Sequence, residues 1–215
     1  VENRSTLIFN VKRGKKLEVK DIQFKGAEAF SDRKLRKKMK PLKEDAWWKF
    51  LSKKTFKQED FEEGTEKVLT YYRNNGYTDV RVVSDSVWVF DYDGDKRGIK
   101  VRLNIEEGPQ YKIRNITWDG NTVYTDQQLS FSLGFEKGDI FDEEKYEQNL
   151  NFNKNSTDIN SLYQNIGYLF FQAIPTVSKI GEDSLDIHFD LYEDEIATIR
   201  NVSFSGRLCR RIYRS

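Results

Sequence analysis

Leu17-Glu-Val-Lys-Asp-Ile-Gln-Phe-Lys-Gly26 returns twice more along this chain. The related segments are Tyr111-Lys-Ile-Arg-Asn-Ile-Thr-Trp-Asp-Gly120 and Ala197-Thr-Ile-Arg-Asn-Val-Ser-Phe-Ser-Gly206, offset by 94 and then 86 residues. In each, apolar residues alternate, miss a step and resume. Leu17/Val19 gives way to Ile22/Phe24, Tyr111/Ile113 to Ile116/Trp118, and Ala197/Ile199 to Val202/Phe204. A strand presents one face at every second residue. A change of phase shared by three segments therefore argues for a repeated structural unit more strongly than shared composition does.

Working outward, a second strand pattern precedes each copy at the same offsets. Leu7, Phe9 and Val11 alternate with polar residues, as do Ile99, Val101, Leu103 and Ile105, and then Leu185, Ile187, Phe189 and Leu191. The polar partners Lys100, Arg102 and Asn104, and Asp186, His188 and Asp190, are expected on the wet face. A third element also recurs: Tyr71-Tyr-Arg-Asn-Asn-Gly-Tyr77 matches Leu162-Tyr-Gln-Asn-Ile-Gly-Tyr168. Each closes a stretch of helical spacing, with Gly76 and Gly167 where a helix ends in the left-handed conformation. Strands are expected over 78–90 and 169–179, turned back by Asp91-Tyr-Asp-Gly-Asp95 and Gly181-Glu-Asp183 as hairpins. Ser31 and Thr125 are placed to cap helices over 32–40 and 126–133. The order in each unit is β-α-α-β-β. Residues 1–14 read as the last strand of a preceding unit, 15–108 and 109–194 as two whole units, and 195–215 as the start of another. The joints, at Gly14 and at Gly108-Pro109, are short, so these residues are candidate hinges.

Composition excludes several classes. The 215 residues carry 36 Lys+Arg against 35 Asp+Glu and are 14% aromatic, which is too aromatic for a disordered tail. No apolar run is long enough for a membrane-spanning helix. The single Cys209 leaves no internal disulfide and no CxxC site, and the single His188 leaves no histidine-rich metal site. Catalysis needs convergent titratable groups in a pocket, whereas the charges here fall on solvent faces, so no catalytic residue, metal or cofactor is expected. Asp91, Asp93 and Asp95 miss the spacing of a calcium loop and read as a turn. Met39 is the only methionine and no leader precedes Val1, so the sequence reads as a fragment of a longer chain.

The β-α-α-β-β order, the strands ending at Gly26, Gly120 and Gly206, the helices closing on Gly-Tyr, and the Glu107-Gly-Pro109 joint together resemble polypeptide-transport-associated (POTRA) domains. The resemblance implies an α+β fold, with a three-stranded mixed sheet and two helices on one face of it in each unit. The Gly-Tyr-Leu-Phe-Phe-Gln-Ala and Thr-Ile-Arg-Asn-Val-Ser-Phe-Ser-Gly segments are similar to the fourth and fifth domains of an outer-membrane β-barrel assembly arm, so the fragment would run from the end of the second domain to the start of the fifth. Trp47-Trp48 and the Asn/Lys/Asp richness give it a Bacteroidetes-like character. The tail 207–215 departs from the family pattern. By this resemblance the chain sits on the periplasmic side of the outer membrane, takes up unfolded outer-membrane proteins and docks accessory lipoproteins. The alternative is an arm of a two-partner secretion transporter or a cell-division scaffold.

Such a sheet leaves strand edges whose free N–H and C=O groups template another strand. If the second hairpin strand is central, the first is an edge. The candidate strand-binding residues are then Val80, Val82, Val83, Val87, Trp88 and Val89, with Phe170, Phe171 and Ala173 in the second unit. The alternative is a strand that serves only its own sheet. Trp47, Trp48, Phe50 and Leu51 form a candidate partner patch, or else a cap on the helix pair. From Lys12 to Lys57 there are 17 basic and 6 acidic residues. That excess fits a solvated helix face over 33–40 or contact with anionic lipid headgroups. No stacking motif or zinc finger points to nucleic acid.

Overall fold

The computed structural model describes residues 16–39, 58–93, 96–198 and 201–203. Its elements are β1 (Lys16–Lys25), α1 (Asp32–Lys38), α2 (Gln58–Arg73), β2 (Arg81–Asp93), β3 (Lys96–Glu106), β4 (Lys112–Asp119), α3 (Asp126–Leu133), α4 (Glu143–Leu150), α5 (Ile159–Gln164), β5 (Gln172–Ile180) and β6 (Ser184–Tyr192). They form two three-stranded sheets, of order β1-β3-β2 and β4-β6-β5. The chain divides into two compact units. One takes in Val1–Lys112 with Ile140–Glu144 and Gly181–Ser184, and the other Ile113–Asp139, Lys145–Ile180 and Leu185–Ser215.

In the first sheet β1 runs parallel to β3 and β2 antiparallel to it, so the sheet is mixed. The shared change of phase has a physical cause. Pairing of β1 with β3 slips between Val19 and Asp21, so that Val19 faces Ile99 while Asp21 already faces Lys100. Lys20 is the extra residue of a β-bulge, and it returns Ile22 and Phe24 to the core-facing phase opposite Val101 and Leu103. In β4 the burial sequence does the same: Ile113 is buried, Arg114 and Asn115 are both exposed, and Trp118 is buried again.

Phe24, Leu35, Met39, Val68, Tyr72, Leu103 and Ile105 make the core of the first unit, so both helices pack on the strand face that the alternation marks as apolar. Phe30 lies against Tyr71 and Tyr72, with ring centroids 4.8 and 4.9 Å away. In the second unit Trp118 stacks on Phe189 at 4.1 Å and Tyr163 on Phe171 at 3.8 Å. Gly26 and Gly120 close their strands at φ +81° and +86°. A Cβ at either would collide with a strand carbonyl, that of Ile105 or of Leu191, which is why both copies of the segment end in glycine.

Four sequence expectations change in detail. The strands expected from 78 and 169 begin later, at Arg81 and Gln172. In both units the chain first makes a turn after the left-handed glycine, with the Val80 N–H bonding to the Tyr77 carbonyl and the Phe171 N–H to that of Tyr168. Val80, Phe170 and Phe171 therefore precede the strands they were assigned to. Ser31 stands at the N-cap of α1 in extended geometry, but its side chain makes no capping bond. Thr125 does cap α3, in a reciprocal box with Gln128. Finally, the second helix of the second unit is split into α4 and α5. Asn153 turns its side-chain oxygen onto the N–H groups of Asn155 and Thr157, competing with the helical ladder. Ser156 adopts φ +54°, and Asp158 restarts the helix by accepting the Ser161 N–H. Residues 1–14 and most of the segment from 199 on lie outside the described residues.

Candidate functional site

Because β3 and β6 are central, β2 and β5 are edges, as the hairpin argument requires. Along β2 the residues alternate about the register with β3. Asp85, Val87 and Val89 lie opposite the buried Leu103, Val101 and Ile99, while Ser86 and Trp88 lie opposite Arg102 and Lys100 on the other face. A second bulge falls between Val82 and Ser84, at Val83. Bulges twist an edge and interrupt its pairing. Val83, Val87, Trp88 and Val89 are all exposed, and Val82 is half-buried against the core. Trp88 carries the Arg102 guanidinium over its ring at 4.9 Å, and Lys100 lies 5.4 Å from the centre of the Phe90 ring. Phe90 covers Gly98 so closely that a side chain there would run into the ring.

β5 is almost wholly exposed, with Ile174 and Val177 on it and Pro175 removing one N–H from the ladder. Ala173 is half-buried and Phe170 exposed; Phe171 is buried, its ring stacked on Tyr163 and its N–H turned onto the Tyr168 carbonyl. Gly108 has φ +69° and is followed by Pro109. Gly14 and the patch Trp47, Trp48, Phe50 and Leu51 lie outside the described residues. Within the basic stretch, α1 exposes Arg33, Lys34, Arg36, Lys37 and Lys38, with the Lys34 and Lys38 ammonium groups over the Tyr71 ring at 5.1 and 4.4 Å.

On the outer face of the second sheet, His188 Nε2 lies 3.4 Å from Asp190 and 3.7 Å from Asp119, and its Nδ1 is 2.8 Å from the Thr117 hydroxyl. Thr117 and Asp119 are exposed, and His188 and Asp190 are half-buried. Asp186, expected beside His188, instead takes both arms of Arg114. Those hydrogen bonds hold its carboxyl below the usual carboxylate range.

A pair of residues in each unit escaped the sequence reading. Glu107 accepts the Glu28 and Ala29 N–H groups at 2.9 and 3.0 Å and the Tyr72 hydroxyl at 2.7 Å. Glu193 repeats this with the Thr122 and Val123 N–H groups at 2.8 and 3.1 Å and the Tyr163 hydroxyl at 2.8 Å. Each carboxylate ties the end of the central strand to the loop after the first strand and to the helix that closes on Gly-Tyr. Burial, reinforced by the hydrogen bond to the glutamate, pushes both phenols well above their ordinary range. For Glu193 burial acts upward, but the bonds from Thr122, Val123 and Tyr163 outweigh it and leave the carboxyl below its ordinary value. The signal was present in the repeat: a Glu stands two residues after the last apolar position of each central strand, at Ile105 and Leu191.

Among the described residues no helix is long and apolar enough to cross a membrane. The POTRA family model, described as a surface antigen variable number repeat, matches residues 17–108 and 111–194. Outer membrane protein assembly factor BamA of Neisseria meningitidis is 30% identical over 121 residues, 56% of this chain and 15% of the relative. BamA of Nitratidesulfovibrio vulgaris is 27% identical over 206 residues, 94% of this chain and 25% of the relative. The chain thus spans a quarter or less of these relatives' length. Among solved structures, domains 3–5 of Haemophilus influenzae BamA superpose with a TM-score of 0.57 at 22% identity, over 93% of this chain and 75% of that one. With the family matched twice over the two repeats and the mixed sheets arranged accordingly, the chain belongs to the POTRA family of non-enzymatic domains.

Proposed function

We propose that this chain is part of the periplasmic arm of an outer-membrane protein assembly factor. It receives unfolded outer-membrane proteins as added strands on β2 and β5 and serves as a dock for accessory lipoproteins. The observation that carries the reading is the pair of sheets whose first hairpin strand lies at an edge with apolar side chains exposed beside it. Main-chain pairing is largely indifferent to side-chain identity, which suits a receiver of many strand-rich clients. The BamA relatives supply the context, and the short joint at Gly108-Pro109 is read as the hinge between the units. Site-specific photo-crosslinking along residues 80–89 and 170–177 in living cells tests it. Labelled outer-membrane precursors or lipoproteins should be captured at edge positions and not on the outer face of β6. Capture spread evenly over all surfaces would sink the reading.

A further inference from the structure

The outer face of the second sheet carries a cluster of mixed nitrogen and oxygen donors that strand addition leaves unused. β4 brings Thr117 and Asp119 to it, and β6 brings His188 and Asp190. One ring nitrogen of His188 and one carboxylate oxygen of each aspartate all lie within 4.8 Å of one another. Asp119 is far from His188 in sequence, so only the pairing of the two strands assembles the set.

The spacing is that of ligands around an ion. His188 Nε2 is 3.4 Å from Asp190 Oδ1 and 3.7 Å from Asp119 Oδ2, both longer than an N–H···O hydrogen bond. Zinc bonds of about 2.0–2.1 Å to nitrogen and to carboxylate oxygen, at tetrahedral angles, set ligand atoms about 3.3–3.4 Å apart. Among the described residues the two carboxylates have no side-chain partner besides His188. Asp186, on the same face, is instead taken up by Arg114. The other ring nitrogen, Nδ1, is 2.8 Å from the Thr117 hydroxyl. With Nδ1–H donating to that oxygen, the Nε2 lone pair is turned toward the carboxylates, as a metal-bound imidazole requires.

The first unit shows that the fold does not demand these residues. The offsets of 94 and 86 residues equate Thr117 with Gln23, Asp119 with Lys25, His188 with Arg102 and Asp190 with Asn104. Gln23 faces Arg102 and Lys25 faces Asn104 across the β1–β3 ladder, and Arg102 donates to Gln23. None of these four is a carboxylate. Like charges brought together across neighbouring strands cost stability unless a cation joins them, so the paired aspartates of the second unit call for one.

We infer that Asp119, His188 and Asp190 bind a divalent transition-metal ion, zinc being the probe. An imidazole with two carboxylates suits such ions, whereas calcium takes oxygen ligands. Three protein donors tie β4 to β6 through the ion and leave its fourth position to water or to a donor from another molecule. The competing account is a protonated His188 that serves the two carboxylates as a counter-ion and needs no metal.

The test is isothermal titration of the whole chain with zinc chloride, in a Cys209→Ser background so that the single thiol does not compete. His188 is the only histidine, so its ring resonances in NMR report this site alone. One zinc ion should bind per chain with micromolar affinity and shift those resonances. His188→Gln and, separately, Asp119→Asn should each weaken binding at least about tenfold, with circular dichroism confirming the fold. An excess of calcium should not displace the zinc. No binding at millimolar zinc, equal affinity in His188→Gln, or displacement by calcium each overturns the site. Should a variant fail to fold, the unaltered residues still decide: His188 resonances that zinc leaves unmoved overturn it as well.

Discussion

At the residue level the two units agree where backbone geometry leaves no choice. Gly26 and Gly120 combine positive φ with a strand carbonyl in the space a side chain would need. Gly120→Ala should cost about 2–4 kcal/mol, more than a surface glycine replacement, read from denaturant unfolding. The Tyr–Glu tie gives a pH-dependent prediction. The Glu193 carboxyl titrates below its ordinary value of 4.5 in the fold. The stability it contributes is complete above that ordinary value and is lost as pH falls through the lowered one. Glu193→Gln should therefore destabilise the second unit at neutral pH, with the gap from the unaltered chain closing on acidification. A gap that stays constant from neutral to strongly acidic pH would show that charge plays no part. Tyr163→Phe removes one hydroxyl from a fully buried ring and should cost about 1–2 kcal/mol. This tie was hard to read from sequence because its partners stand 30 and 35 residues apart. Only the repeat, not local spacing, connects them.

Among the elements, what sequence revealed and what it concealed divide along the range of the interaction. The missed step in each strand was legible because a bulge displaces a run of side chains by one residue, and hydrophobic alternation records that directly. The later strand starts were not legible. Val80 and Phe171 are apolar and continue the strand pattern, yet turn bonds to Tyr77 and Tyr168 hold them outside the ladder. The connection between α4 and α5 was legible as the Asn-rich stretch 149–158, and α5 as the helical spacing of Ile159, Leu162, Tyr163 and Ile166, whereas the separate helix α4 was not foreseen. Asp158 is fully buried and accepts the Asn153 and Ser161 N–H groups. Asp158→Ala should thus cost about 1–3 kcal/mol and loosen α5 first, visible as faster amide exchange over 159–164. Of the edges, placement was readable from hairpin logic, but the bulge at Val83 was not: it becomes visible only in the register of β2 with β3. Proline at Val82 and Val87 should lower affinity for an added strand severalfold while the sheet, followed by circular dichroism, persists. Undiminished binding would mean that visitors do not pair along β2.

For the molecule as a whole, two separate sets of buried side chains make local damage a local matter. Leu103 belongs to a core built from Phe24, Leu35, Val68 and Tyr72. Phe189, fully buried, stacks on Trp118 in the second unit. Truncating either removes packed atoms that neighbours only partly replace, so Leu103→Ala should cost about 2–5 kcal/mol and Phe189→Ala about 3–5 kcal/mol. Global unfolding by fluorescence cannot tell where that cost falls, but hydrogen exchange can. If the repeats are thermodynamic units, Leu103→Ala accelerates exchange in β1, β2, β3 and α2 and leaves β5 and β6 protected, and Phe189→Ala does the reverse. Uniform loss of protection across both sheets in either variant would mean that the repeats fold as one body, and the equivalence drawn from Leu17–Gly26 and its copies would then describe shared ancestry without separate stability.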